Sequence, residues 1–129
     1  NMEVVEYGIS KGANMFILCF ISDNIDVVNL GISNYNKGYD LCLRSSNMET
    51  VKLGESKGAY NYNQCLKSSN IEVVKYGISK GADNWDNCMS SDNLDVVKLG
   101  LENGADFNED IIYSKNIDVL LYYLNNSDF

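Results

Sequence analysis

The sequence predicts an all-α solenoid of helix-turn-helix repeats, and three observations predict it. The phrase Asn–apolar–acidic–Val/Thr–Val starts at Asn1, Asn24, Asn47, Asn70 and Asn93, and a variant, NIDVL, starts at Asn116. The spacing is 23 residues throughout, with no insertion or deletion, and chance does not keep such a register. Each period carries a long and a short stretch of helical apolar spacing, too small to bury both faces alone, so neighbouring units must stack. The chain reads as one array over residues 1–129: five full repeats and a partial capping repeat from Asn116. It starts at Asn1 rather than methionine, and is expected to be the C-terminal part of a longer chain.

The unit from Asn70 shows how each long helix is specified. Asn70 is a good N-cap, and Glu72 follows in the first turn, where a carboxylate meets the positive end of the helix dipole. Ile71, Val74 and Ile78 fall at helical spacing as the buried stripe. Gly81 then supplies a left-handed C-cap, as do Gly12, Gly58 and Gly104 in their units. The short helix comes next, capped by Asp83 (or by Asp106 one unit later). Trp85, Cys88 and Met89 mark its apolar face.

A glycine also sits inside every long helix of the first five units: Gly8, Gly31, Gly54, Gly77 and Gly100. Glycine in a helix interior costs about 1 kcal/mol relative to alanine. Its recurrence in register predicts a place where a neighbouring helix must come close. Tyr123 takes the position in the last unit, where the absence of a following neighbour would leave room for it. Asn116 to Phe129 is therefore read as a C-terminal cap.

The segment GADNWDNCMSSDNLDVVKLGLENGAD, Gly81 to Asp106, resembles ankyrin repeats, in which a short helix precedes a longer one that ends in a Gly-Ala-Asp turn. EVVKYGISKGAD and DVVKLGLENGAD are similar to the second helix of that family. The likeness covers nearly the whole chain. Repeats of that family run to about 33 residues, and the stretch missing here is where the family places its β-hairpin finger. Its Thr-Pro-Leu-His opening is also absent; Asp83, Trp85 and Asp86 stand at the Thr, Leu and His positions. The second unit departs furthest, with Tyr35 at the capping glycine position and Gly38 three residues on. The chain resembles the degenerate, Asn-rich ankyrin-like arrays of giant DNA viruses. The resemblance implies an ankyrin-like α-solenoid lacking the β-hairpin fingers, and a viral protein that binds other proteins without catalysing a reaction.

Composition narrows the partners. Eighteen Asp and Glu against ten Lys and Arg give a net charge of −8, with no basic cluster of the kind that releases counterions from nucleic acid. Nucleic acid and anionic membranes are poor partners, and a protein with a basic segment is a better one. No apolar run reaches the ~18 residues of a membrane span, and no signal-peptide pattern is present. Eighteen Asn with no His and no Pro suggest an AT-rich genome.

Cys19, Cys42, Cys65 and Cys88 share one repeat position, which Ile111 takes in the fifth unit. Helices stack about 8–10 Å apart, whereas a disulfide needs α-carbons within about 7 Å. No CxxC pair or zinc spacing exists. A buried column of free thiols, and with it an intracellular, reducing compartment, is expected. No metal or cofactor is called for. Phe16, Tyr39, Tyr62 and Trp85 form an aromatic column, and Phe20, Leu43, Leu66, Met89 and Ile112 a second apolar one. Both suit a core better than a peptide-gripping stripe. Glu3, Asp26, Glu49, Glu72, Asp95 and Asp118 are explained by helix-end stabilisation rather than acid–base chemistry. Without histidine, a phosphate loop or a nucleophile elbow, the chain is not expected to be an enzyme.

Specificity should reside where the framework varies. Ile17, Asp40, Asn63, Asp86 and Glu109 follow the aromatic or its equivalent, and Leu18, Leu41, Gln64, Asn87 and Asp110 come next. Their polar members, Asp40, Asn63, Gln64, Asp86, Asn87, Glu109 and Asp110, are the candidate partner-binding residues on an acidic strip. The bland alternative is a solvated face that varies freely. The functional expectation is a protein–protein interaction scaffold, and the alternative is a structural protein that self-associates through its repeat ends.

Overall fold

The computed structural model describes residues 2–11 and 16–127. The chain divides into two compact units, residues 1–61 and 62–129. In the first, α1 (Met2–Ser10), η1 (Phe16–Ile21), α2 (Ile25–Asn34), η2 (Tyr39–Arg44) and α3 (Met48–Ser56) follow one another. The second holds η3 (Tyr62–Lys67), α4 (Ile71–Ser79), η4 (Trp85–Ser90), α5 (Leu94–Glu102), η5 (Glu109–Tyr113) and α6 (Ile117–Asn126). The α elements are α-helices, the η elements are 3-10 helices, and no strand occurs among the described residues. The architecture is an all-α solenoid of helix-turn-helix repeats without β-hairpin fingers.

The short helices are 3-10 rather than α for a reason of length. Nine α-helical residues advance about 13 Å at 1.5 Å each. Six residues of 3-10 helix advance about 12 Å at 2.0 Å each. The tighter winding lets six residues lie along a nine-residue partner. It also fits both helices and their turns into 23 residues.

The N-caps are as the sequence predicts. Asn24, Asn47, Asn70, Asn93 and Asn116 each accept, on the side-chain oxygen, the N–H two residues on, at 2.9–3.0 Å. The C-caps close with the two bonds of a Schellman motif. Gly81 N–H donates to Ile78 and Ala82 N–H to Gly77, with Gly81 at φ +97° and Ala82 buried. The Gly-Ala pair thus divides its work: glycine takes the left-handed backbone, and alanine packs under the helix end. Gly58 and Gly104 behave likewise. In the second repeat α2 runs on to Asn34, Tyr35 is extended, and the positive φ moves to Gly38 at the start of η2. The expectations for Asn1 and Gly12 lie outside the described residues.

Each unit has its own core. Phe20, Val28 and Cys42 form one, flanked by Ile25, Ile32, Tyr39 and Leu53. Leu66, Val74, Met89, Val97, Ile111 and Val119 belong to the other. The cysteines are free and buried, as the aligned isoleucine predicts. The aromatic column is half-buried at the rim, where the Tyr39 hydroxyl donates to Tyr35 O at 3.3 Å.

Gly31, Gly54, Gly77 and Gly100 face the short helix that immediately precedes their own long helix, not a neighbouring long helix. A Cβ on Gly54 would stand 2.4 Å from Cys42 Cβ and 3.1 Å from Tyr39 O. At Gly100 it would meet Cys88 Cβ at 2.6 Å and Trp85 O at 3.1 Å. This corrects the sequence-based reason for Tyr123. Its position should face η5, where Ile111 replaces the cysteine. A glycine–cysteine contact thus gives way to tyrosine and isoleucine, with the Tyr123 ring 5.3 Å from Phe107.

Candidate functional site

The polar rows on the short helices bridge the repeats. The turns after α3 and α4 each hold two successive residues whose N–H groups find no partner inside their own repeat among the described residues. A backbone donor left dry is costly. The preceding short helix supplies the acceptor. Asp40 Oδ1 accepts from Tyr60 N–H at 2.7 Å and Asn61 N–H at 3.0 Å. Asn63 Oδ1 accepts from Asp83 and Asn84 N–H at 2.9 and 3.0 Å. Asp86 Oδ1 reaches Asp106 N–H at 3.4 Å. An acid and an amide do the same job because the job requires only an oxygen.

This supply explains why Asp83 and Asp106 do not cap the short helices, contrary to the sequence expectation. The η4 helix begins after Asn84 without a side-chain cap, its turn amides already bonded to Asn63. The η5 helix is capped by Asn108, which accepts from Asp110 N–H at 2.9 Å.

The second row is divided in the same way. Asn87 Nδ2 donates to Asn63 O at 2.9 Å, tying η4 to η3. Leu41 packs on the apolar core of its unit. Gln64 is half-buried, and its Oε1 is enclosed without a partner among the described residues. Asp86, Glu109 and Asp110 are exposed. The side chain of Ile17 lies outside the described set. Of the seven candidate residues, Asp40, Asn63, Asp86 and Asn87 therefore have repeat-bridging bonds, whereas Glu109 and Asp110 present carboxylates to solvent.

Asp83 and Asp106 are exposed beside them. Residues 81–93 and 104–113 contain Asp83, Asp86, Asp92, Asp106, Glu109 and Asp110 and no Lys or Arg. The long helices of the same unit mix signs, with Glu72 3.4 Å from Lys75 across one turn. Acidity in the unit 62–129 is thus concentrated on the turns, loops and short helices.

A second seam escaped the sequence reading. Ser-x-Asn precedes each long helix from α2 on: Ser22, Ser45, Ser68, Ser91 and Ser114 stand two residues before the capping asparagines. Each serine hydroxyl accepts the asparagine N–H at 3.0–3.1 Å. Ser91 Oγ also donates to Ser68 O at 3.2 Å. Asn47, Asn93 and Asn116 then use their Nδ2 groups, donating at 2.9–3.0 Å to the carbonyls of Asp23, Ser69 and Asp92 in the preceding repeat. The signal was the fixed serine register. Its meaning was hidden because serine beside a helix start is also ordinary loop composition.

Burial holds the thiols protonated. Desolvation pushes Cys42 and Cys88 from 9.0 to about 11 and raises Cys19 as well. These are packing groups with little thiolate at neutral pH. Among the described residues no group of three His, Cys, Asp or Glu is placed to hold a metal ion, and no helix is long and apolar enough to cross a membrane. What the arrangement offers is a row of solvent-facing carboxylates on hydrogen-bonded turns and short helices. Comparison with protein families, with curated proteins and with solved structures finds no match.

Proposed function

We propose that the protein is a non-catalytic interaction scaffold that recognises a basic segment of a partner protein. The observation that carries this reading is the segregation of charge in the unit 62–129. Asp83, Asp86, Asp106, Glu109 and Asp110 lie on the turns and short helices of residues 81–93 and 104–113, which contain no Lys or Arg, while Lys75 and Lys98 lie on the long helices and Lys67, Lys80 and Lys115 lie outside these two stretches. The turn amides are bonded to the preceding repeat, so the acidic groups sit on backbone that is already ordered. Preordered contacts lose little entropy on binding, and a single-sign surface steers an oppositely charged ligand. The resemblance to ankyrin repeats supports the same class of function. A viral origin and an intracellular setting belong to that resemblance and to the four free thiols.

The test uses an immobilised series of extended peptides graded from acidic to basic. Basic peptides should be retained, retention should fall as salt rises, and Glu109→Lys with Asp110→Lys should abolish it. Neither side chain supplies a bond across the repeats, so the variant should melt like the parent. Equal retention of acidic and basic peptides would refute the reading.

A further inference from the structure

The residue between serine and asparagine in the Ser-x-Asn seam is Asp23, Ser46, Ser69, Asp92 or Lys115. Where it is aspartate, its side chain reaches the same residue of the next repeat. Asp23 Oδ1 accepts Ser46 N–H at 3.2 Å in the unit 1–61, and Asp92 Oδ1 accepts Lys115 N–H at 2.7 Å in the unit 62–129. The Ser114 hydroxyl donates to the same Asp92 oxygen at 3.2 Å.

At Ser69 the register is kept and the bond is missing. The Asp92 N–H, which stands to Ser69 as Lys115 N–H stands to Asp92, finds no acceptor among the described residues. The Ser91 hydroxyl turns instead to Ser68 O, at 3.2 Å. A serine oxygen ends one bond short of a carboxylate oxygen, which leaves the span open. The Ser69 hydroxyl itself makes no hydrogen bond among the described residues, whereas those of Ser68, Ser79, Ser90, Ser91, Ser114 and Ser127 are all bonded. Ser69 is exposed on the link between η3 and α4, and Ser46 in the same register is half-buried. Glu72 lies three residues after Ser69, the place where acidophilic serine kinases select a carboxylate.

We infer that Ser69 is a phosphorylation site, whose phosphate closes the seam to Asp92 as the aspartates close theirs. Ser69 Oγ attacks the γ-phosphorus of ATP held by such a kinase. The Oγ–P bond forms as the bond to the β-phosphate oxygen breaks, ADP leaves, and the hydroxyl proton passes to the kinase's base. The phosphate carries the side chain two bonds further and offers three acceptor oxygens with a charge of about −1.5 to −2. It also stands just before the capping Asn70, near the positive end of α4. Like charge is the opposing effect. Glu72 is drawn to Lys75 at 3.4 Å, and Asp92 aims its carboxylate at the following repeat, so neither occupies the Asp92 N–H. A charge-assisted bond to a backbone N–H outweighs repulsion between exposed groups screened by water. Reading Glu72 requires the first turn of α4 to open, a local event at a helix end. The inference does not depend on the binding of basic peptides.

Incubation of the whole chain with ATP and an acidophilic serine kinase, followed by mass-spectrometric sequencing of the tryptic peptide Ser68–Lys75, tests the site. One phosphate should appear on Ser69, more slowly in Glu72→Gln and not at all in Ser69→Ala. Ser69→Ala should melt like the parent, since the hydroxyl it removes holds nothing. The phosphorylated protein, and Ser69→Asp without kinase, should exchange the Asp92 amide about tenfold more slowly than the parent. Both should also melt at a higher temperature, and phosphatase should return the phosphorylated protein to the parent rate. A chain left unmodified at Ser69 overturns the inference. So does a Ser69 phosphate that leaves the Asp92 exchange unchanged.

Discussion

A Cβ placed on Gly77 would stand 2.4 Å from the Cβ of Cys65 and 3.0 Å from the carbonyl oxygen of Tyr62. Neither contact is with the flexible end of a side chain, so the backbones of α4 and η3 would have to separate. Gly77→Ala should therefore destabilise the protein by about 1–3 kcal/mol through overpacking, although alanine is the better helix former by about 1 kcal/mol. Urea unfolding measures the difference. Adding Cys65→Gly, which removes the opposing Cβ, should recover part of the loss. A neutral or stabilising Gly77→Ala would show that the two helices can part freely.

Thr50 is the odd member of its column. Its side chain is fully buried with Oγ1 lacking a partner among the described residues, whereas Val27, Val73, Val96 and Val119 occupy the position elsewhere. Thr50→Val keeps the shape and removes a dry hydroxyl, so it should stabilise by about 1 kcal/mol. A shift of the thermal midpoint upward, with unchanged circular dichroism, is the expected result.

The capping asparagines work with both ends of the amide. Asn93 Oδ1 accepts Asp95 N–H at 2.9 Å, and Nδ2 donates to Ser69 O at 2.9 Å. Asn93→Asp keeps the cap and aims a carboxylate at a carbonyl. Asn93→Ala loses cap and bridge together. Aspartate caps as well as asparagine in an ordinary helix, so equal stability of parent and Asn93→Asp would deny the bridge any role. A loss of about 1–2 kcal/mol in Asn93→Asp is expected. Amide exchange near Ser69 should rise in both variants.

Stability should also fall in alkali. Cys42 and Cys88 titrate at about 11 in the folded protein against 9.0 for the free thiol. Below pH 9 both states hold the proton, and the full contribution to stability is present. Between 9 and 11 the unfolded chain releases protons that the folded chain keeps, so stability declines as pH rises. Thiol-reactive dye at neutral pH should label the native protein slowly and the urea-unfolded protein fast. Replacing both cysteines by alanine should flatten that part of the pH profile.

The period alone made the long helices, their asparagine caps, the Gly-Ala turns and the cysteine column legible, because each places one residue type at one point of a fixed backbone. The direction of the polar rows was not legible. On a short helix Asp40 or Asn63 can point to water or to the next turn, and composition is the same either way. What decides is the need of two turn amides, at Tyr60–Asn61 and Asp83–Asn84, for an acceptor that their own repeat lacks. That need belongs to a backbone shape, which the residue pattern names only indirectly. Glu109 and Asp110, which present their side chains to solvent, keep the character the sequence suggested for the whole strip.

The Ser-x-Asn seam makes chain length a quantised property. The capping amides of Asn47, Asn93 and Asn116 reach back 24 residues, one more than the repeat, to a carbonyl, as Asn93 does to Ser69 and Asn116 to Asp92. Losing or gaining one residue between two seams would turn the next helix by about 100° and move its amide away from that carbonyl. Losing 23 at once, such as residues 71–93, leaves Asn70 joined to Leu94 and sets Gly100 against Cys65, a pairing the fold already uses elsewhere. A gene encoding such a protein can stutter by whole repeats and still specify a folded product, while a single-codon slip anywhere in the frame of the array cannot be absorbed.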